Sequence, residues 1–277
     1  MNIIQRAFST DVKDISIRRI YKAVVRRIKN IPEIIAWYLP TKLCRENKTK
    51  LISFKDKHKG QRCFILANGP SLKITDLSLL KNEITIGMNR ISVMEEVNGF
   101  IPTYIAVADV EIQLKQFMQE YNDLQIIKFF PWEVRNIFDN KKNLIFYKAR
   151  FSNTFCKKAG ELFGAGKSVT YVCLQLAYIM GFSEVILIGK DHSYSHEQKG
   201  IPGTRIISTG KESNHFISGY YTEGMKWTIP NYTDEENSYK LAKHAFEVDK
   251  RTVLDATING KLNVFKKVDY NGLFTKN

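Results

Sequence analysis

The sequence contains no run of about 18 or more uncharged apolar residues, so no segment reads as a membrane-spanning helix. Its N-terminus lacks the apolar core of a secretory signal peptide, which places the expected site of action in the cytoplasm. Cysteine is scarce. Cys44, Cys63, Cys156 and Cys173 form no CxxC pair, which argues against a cysteine-held metal and for free thiols in a reducing compartment. A complete Walker A loop is also missing, because Gly164-Ala-Gly-Lys-Ser168 lacks the first glycine at the required spacing. There is no internal repeat or low-complexity tract, and no recognised nucleic-acid motif, so nucleic acid is not an expected partner.

What is present is cationic and unevenly spread. The net charge is +14, and residues 1–50 hold twelve Lys or Arg against four acids. Between those cations Ile15, Ile17, Ile20, Tyr21, Val24, Val25, Ile28, Ile31, Ile34, Ile35, Trp37 and Tyr38 recur at roughly helical spacing. The pattern predicts a basic amphipathic helix, kinked or restarted at Pro32 and ended by Pro40. Such a helix over residues 12–40 suits an anionic membrane surface and would make the protein peripheral on the inner face of the cell membrane. A helix whose apolar stripe packs on the rest of the chain is the other reading.

With 44% hydrophobic residues the chain can bury one sizeable core. The expected division is a basic segment over 1–58 and a single α/β domain over 59–277. Short apolar runs at Cys63–Ala67, Ile84–Met88 and Tyr104–Ala108 each end in a polar residue: Asn68, Asn89 and Asp109. A helix over about 110–121 and strands at Gln125–Phe130 and Asn143–Tyr147 follow. The best-marked unit is Gly164–Ser168, an apolar helix Val169–Met180 capped by Gly181, and a strand Glu184–Ile188 leading to Gly189-Lys-Asp-His192. Residues 195–235 read as a long irregular lid. A helix over 234–250 with Asp234 as N-cap and a strand at Thr252–Leu254 close the domain. This alternation predicts an α/β, Rossmann-like, mostly parallel sheet with helices on both faces. Ligands of such sheets sit beyond the carboxyl ends of the strands, so Asn68, Asn89, Asp109 and Asp191 belong on one rim.

Asn68-Gly69-Pro70-Ser71 offers an amide and exposed backbone to a phosphate or ribose, although Asn-Gly and Gly-Pro also make ordinary turns. Gly166, Lys167 and Ser168 open a helix whose free N–H groups could meet a phosphate, or Ser168 could simply cap it. His192 follows Asp191 at a strand end. His215 lies on the lid without core periodicity, where an imidazole of near-neutral pKa could act as a general base. Tyr194, Tyr220 and Tyr221 could donate to a leaving phosphate. Asp109, Glu111 and Asp191 could hold a divalent cation, or bind ribose hydroxyls or cap helices.

Taken together, Asn68-Gly-Pro-Ser-Leu72, Asn89, Gly164–Ser168, Gly181-Phe-x-x-Val-x-Leu-x-Gly189-x-Asp191 and His215 resemble two related groups over about residues 61–260. One is the bacterial sialyltransferases of glycosyltransferase family 42. The other is the 6-hydroxymethylpterin diphosphokinase-like domain of bacterial surface-polysaccharide proteins. The first resemblance implies a metal-independent enzyme without a cofactor that uses a CMP-activated nonulosonic acid as donor and a glycan or glycolipid as acceptor. It implies that Asn68, Asn89 and Ser168 hold the nucleotide and sugar, with Asp191 at the cytidine end; Gly69, Ser71, Asp109, Gly166, Lys167 and His192 complete the expected donor-binding set. It further implies His215 as the base, and Tyr194 or Tyr220 as donor to the leaving phosphate. The second resemblance implies Mg²⁺-dependent phosphoryl transfer with Asp109 and Asp191 as ligands. A non-catalytic role in polysaccharide assembly, and assembly into a homo-oligomer, are also compatible with the sequence.

Overall fold

Eight short segments among the described residues pair edge to edge into one sheet, and every pairing within it is parallel. The computed structural model describes residues 17–138, 142–152, 154–193, 201–211 and 213–275; Tyr194 and residues 12–16 lie outside them. The chain divides into two units, 1–46 and 47–277.

In the first unit, helix α1 (Ile17–Tyr38) continues through Pro32, so the helix does not restart there. Pro32 is exposed, and at an exposed turn water can take the carbonyl that the missing N–H releases. The helix does end before Pro40, and Cys44 Sγ donates to the Trp37 carbonyl at 2.8 Å. A second helix, α2 (Lys42–Ile52), leads into the larger unit.

In that unit the strands are β1 (Arg62–Leu66), β2 (Ile84–Met88), β3 (Tyr104–Ala106), β4 (Ile127–Pro131), β5 (Leu144–Tyr147), β8 (Glu184–Ile188), β11 (Thr252–Asp255) and β12 (Lys266–Lys267), in the order β12-β11-β8-β1-β2-β3-β4-β5. β6 (Ala149–Arg150) pairs with β7 (Phe163–Gly164), and β9 (Arg205–Ile207) with β10 (Lys226–Thr228), each as a small separate ribbon. In β1, β2 and β8 four consecutive residues are buried, so both faces of the central strands are covered. The chain steps outward from β1 to β5 and then returns to the other side of β1 with β8. The β1/β8 boundary is therefore the topological switch point, where the connections leave in opposite directions and open a crevice. Short helices α3 (Met94–Asn98) and α4 (Met118–Asp123) follow β2 and β3.

Helix α5 (Val169–Ile179) lies against β1, β2 and β3 with ten of its eleven residues buried. Each aliphatic side chain buried there contributes about 1.5–3 kcal/mol. Gln175 in its middle is fully buried and fully used: its Oε1 accepts from the N–H groups of Cys156 (2.9 Å) and Gly164 (2.8 Å), and its amide donates to the Gly164 carbonyl. One glutamine thus ties the loop before α5 to the helix.

Three expectations need correction. The helix expected at 110–121 is a single wide turn at Val110–Leu114 followed by α4, because Phe117 leaves helical geometry (φ −122°, ψ 30°). Helix α6 spans Tyr232–Val248 and is capped by Asn231, whose side chain accepts from Asp234 N; Asp234 stands in its first turn instead. The 195–235 region is not wholly irregular, since it carries the β9–β10 ribbon, and it buries Asn214, His215, Phe216, Tyr220 and Trp227.

Candidate functional site

Because the sheet is parallel, Asn68, Asn89, Asp109 and Asp191 all follow the carboxyl ends of their strands and share one rim. Hydrogen bonds stitch three of these ends together. Asn68 Nδ2 donates to the Met88 carbonyl at 3.0 Å, joining β1 to β2, and Gly69 N donates to the Gly189 carbonyl at 2.9 Å, joining β1 to β8. Asp191 accepts from Ser71 N (3.1 Å) and Ser71 Oγ (2.8 Å) across the switch point. Burial pushes the Asp191 carboxyl above its usual range, and the two Ser71 bonds pull it back. Only glycine fits at position 69: a Cβ there would stand 1.8 Å from Asp191 Oδ2 and 2.6 Å from the Gly189 carbonyl oxygen.

Two amide oxygens at this rim, Asn68 Oδ1 and Asn89 Oδ1, are buried without a hydrogen-bond partner among the described residues. Buried polar atoms are nearly always paired, so two orphans at the ends of neighbouring strands mark a place for ligand donors. Asn89 also holds a left-handed φ of +50°.

The insertion reaches the same place. Phe216 N donates to the Asn68 carbonyl at 2.9 Å, and Tyr220 Oη accepts from Arg90 N at 3.2 Å. Beside the first anchor His215 stacks flat on Tyr220, with ring centroids 4.0 Å apart and planes 1° from parallel, and meets Tyr221 edge-on at 5.3 Å. Tyr221 Oη accepts from Gln113 Nε2. Arg90 is tied into this arrangement: its guanidinium holds Glu120 and the Tyr220 carbonyl and lies 3.8 Å from the centroid of the Phe117 ring.

A second cluster sits across the switch point. Ser168 caps α5 by accepting from Thr170 N, and Tyr239 Oη donates to Ser168 Oγ at 2.8 Å. Glu235 accepts from Lys190 Nζ at 2.8 Å and lies 3.9 Å from His192 Nδ1, while His192 Nε2 meets Glu236 at 3.0 Å. His192 Nδ1 is buried and has no hydrogen-bond partner among the described residues, and its backbone φ is +54°. Burial, with Lys190 adding to it, holds the His192 pKa below the usual histidine value. Burial likewise pushes the Tyr239 phenol up to about 12, so it remains a proton donor. Gly166 (φ +53°) lets the loop pass where the Tyr171 ring fills the place of a Cβ; Lys167 (φ +62°) is exposed.

Of the expected residues, Asn68, Gly69, Ser71, Asp191, His215 and Tyr220 come together in one linked group, Asn89 joins it through the neighbouring Arg90, and Ser168 and His192 belong to the other. Asp109 is engaged elsewhere, capping the turn at Ile112 N (2.8 Å) and facing Arg205 at 3.7 Å. Arg90, Gln113, Lys190, Glu235, Glu236 and Tyr239 were not anticipated. A signal existed for the last three: helices of a parallel α/β sheet begin at the carboxyl rim, so the first turn of α6 and its i+4 neighbour belong to the site. Among the described residues no group of three or more His, Cys, Asp or Glu is gathered as a metal site would need.

A family model described as 6-hydroxymethylpterin diphosphokinase MptE-like matches residues 41–197, more than half of the chain. The chain belongs to the MptE-like family. The MptE-like stretch carries β1 through β8 and with them Asn68, Asn89, Ser168, Asp191 and His192, whereas His215, Tyr220 and Glu235 fall beyond it. No curated protein matches the chain. Among solved structures, the MAf glycosyltransferase from Magnetospirillum magneticum AMB-1 is similar, with a TM-score of 0.49 and 13% identity over 81% of this chain. The match spans 38% of that protein.

Proposed function

We propose that this MptE-like protein is a glycosyltransferase that moves a sialic-acid-like nonulosonic acid from a CMP-activated donor to a hydroxyl of a bacterial surface glycan. The observation that carries the reading is the placement of His215, buried and stacked on Tyr220, against the ends of β1 and β2, where the Asn68 and Asn89 amide oxygens have no hydrogen-bond partner among the described residues. Those oxygens suit N–H and O–H donors of a nucleotide and sugar. His215 takes the proton of the acceptor hydroxyl as that oxygen bonds to the anomeric carbon, and the bond from that carbon to the CMP phosphate oxygen breaks. Tyr220 Oη accepts from Arg90 N and, as a phenol, can donate its own proton to the departing phosphate. Charge builds on a single phosphate, and no step requires a metal. Asp109 and Asp191, the carboxylates a metal would need, are each engaged by their own partners.

The family description favours a second reading, Mg²⁺-dependent diphosphoryl transfer to a pterin, in which Asp109 and Asp191 would give up those partners to the ion. Release of CMP from a CMP-nonulosonate in the presence of EDTA separates the two. The glycosyltransferase reading expects turnover in EDTA, reduced about 10²–10⁴-fold by His215→Ala while CMP still binds. Turnover unchanged by that substitution contradicts the role given to His215.

A further inference from the structure

Helix α1 carries two faces with different fates. On one, Asn30, Glu33, Ile34 and Trp37, spaced i, i+3, i+4 and i+7, are partly or fully withdrawn from solvent, and Trp37 is completely buried. On the other, Tyr21, Val24, Ile28, Ile31, Ile35 and Tyr38 recur at alternating intervals of three and four residues. Every one of these six is 45–68% exposed. They form an apolar stripe along nearly the whole 22-residue helix, about 30 Å in length. The first face is withdrawn from solvent and the second is bare.

The charge around the stripe says what covers it. The helix holds Arg18, Arg19, Lys22, Arg26, Arg27 and Lys29 against the single acid Glu33. Arg27 and Lys29 are exposed, and Arg27 borders the stripe beside Ile28. We propose that this stripe seats the protein on an anionic lipid bilayer, with α1 lying in the plane of the interface. Among the described residues no helix is long and apolar enough to cross a membrane, so the contact is superficial. An alternating three-four stripe is also the seam of a coiled coil, but pairing two such helices brings two strongly cationic segments together, whereas anionic headgroups complement them. The inference does not depend on the activity proposed for the sheet rim.

The test is flotation of the purified full chain with phosphatidylcholine vesicles, with and without phosphatidylglycerol. The chain is expected to float with the anionic vesicles and to be released by high salt. Ile28→Asp/Ile35→Asp should lower the partition about tenfold or more. Arg27→Ala/Lys29→Ala, which removes no apolar surface from the stripe, should lower it about 30-fold. Neither pair should move the thermal melt, since all four side chains are exposed. Equal partition onto neutral vesicles, or unchanged partition in the charge variant, overturns the proposal. So does a dimer in light scattering that the isoleucine pair dissociates while vesicles bind nothing.

Discussion

Replacing Gly69 by alanine tests whether the β1/β8 crevice is as tightly closed as its geometry implies. The backbone at this position (φ −72°, ψ 161°) suits any residue, so the substitution brings no conformational strain and even gains about 0.4–1 kcal/mol by restricting the unfolded chain. The cost is spatial. The new Cβ meets Asp191 Oδ2 at 1.8 Å and the Gly189 carbonyl oxygen at 2.6 Å, and a methyl group has no rotamer by which to avoid either. Overpacking of this kind costs about 1–3 kcal/mol. If Asp191 swings away it also forfeits two charge-assisted bonds from Ser71, each worth about 1.5–3 kcal/mol and partly recovered from water because the carboxylate is only half-buried. The net loss comes to about 3–5 kcal/mol, or about 6–20 °C in melting temperature for a unit of this size. Melting followed by circular dichroism reads it. On an Asp191→Ala background the same glycine substitution should cost about 1–3 kcal/mol less, because the closest clash is gone. A Gly69→Ala protein that melts within about 3 °C of the parent refutes the reasoning.

Two further outcomes follow from buried polar groups. Gln175→Leu strands the N–H groups of Cys156 and Gly164, so it should cost about 2–6 kcal/mol despite the added apolar surface; a neutral melt contradicts the accounting. His192 titrates in the fold below its unfolded value of about 6.5, so the unfolded chain takes up the proton first; its contribution is complete above about pH 6.5 and is lost as pH falls through the folded value. His58, lowered by burial, acts in the same sense, so the melting temperature should fall between about pH 7.5 and about pH 5.5, and less steeply in His192→Gln; identical slopes rule out the burial of His192 as the cause.

The sheet could be read from the sequence because its strands are buried on both faces and therefore stand out as short continuous apolar runs: Cys63–Leu66, Ile84–Met88 and Glu184–Ile188 lie where those runs do. The polar residues ending each run fixed the rim for the same reason. What could not be read depends on contacts between distant segments. The break at Phe117 interrupts an otherwise helical pattern, and the choice of Asn231 over Asp234 as cap turns on which of two good capping residues the preceding ribbon delivers to the rim. The second cluster is legible only in part: topology puts the first turn of α6 and its i+4 neighbour at the rim, but Lys190 is an ordinary residue singly, and 45 residues separate it from the glutamate that neutralises it. His215 stands out in the sequence, yet its burial against Tyr220 depends on Phe216 and Arg90 anchoring the insertion at two strand ends.

Whether the rim holds a cytidine nucleotide is read from the thermal shift of the purified chain with CMP, CDP, CTP, UDP, GDP, ADP and ATP, each with and without Mg²⁺. A ligand bound by the native state alone raises the melt by mass action. Stabilisation by CMP or CDP without metal, reduced when Asn68 or Asn89 is replaced by alanine, is the predicted result. Stabilisation by ATP or ADP only when Mg²⁺ is present contradicts it and moves phosphoryl transfer to the front.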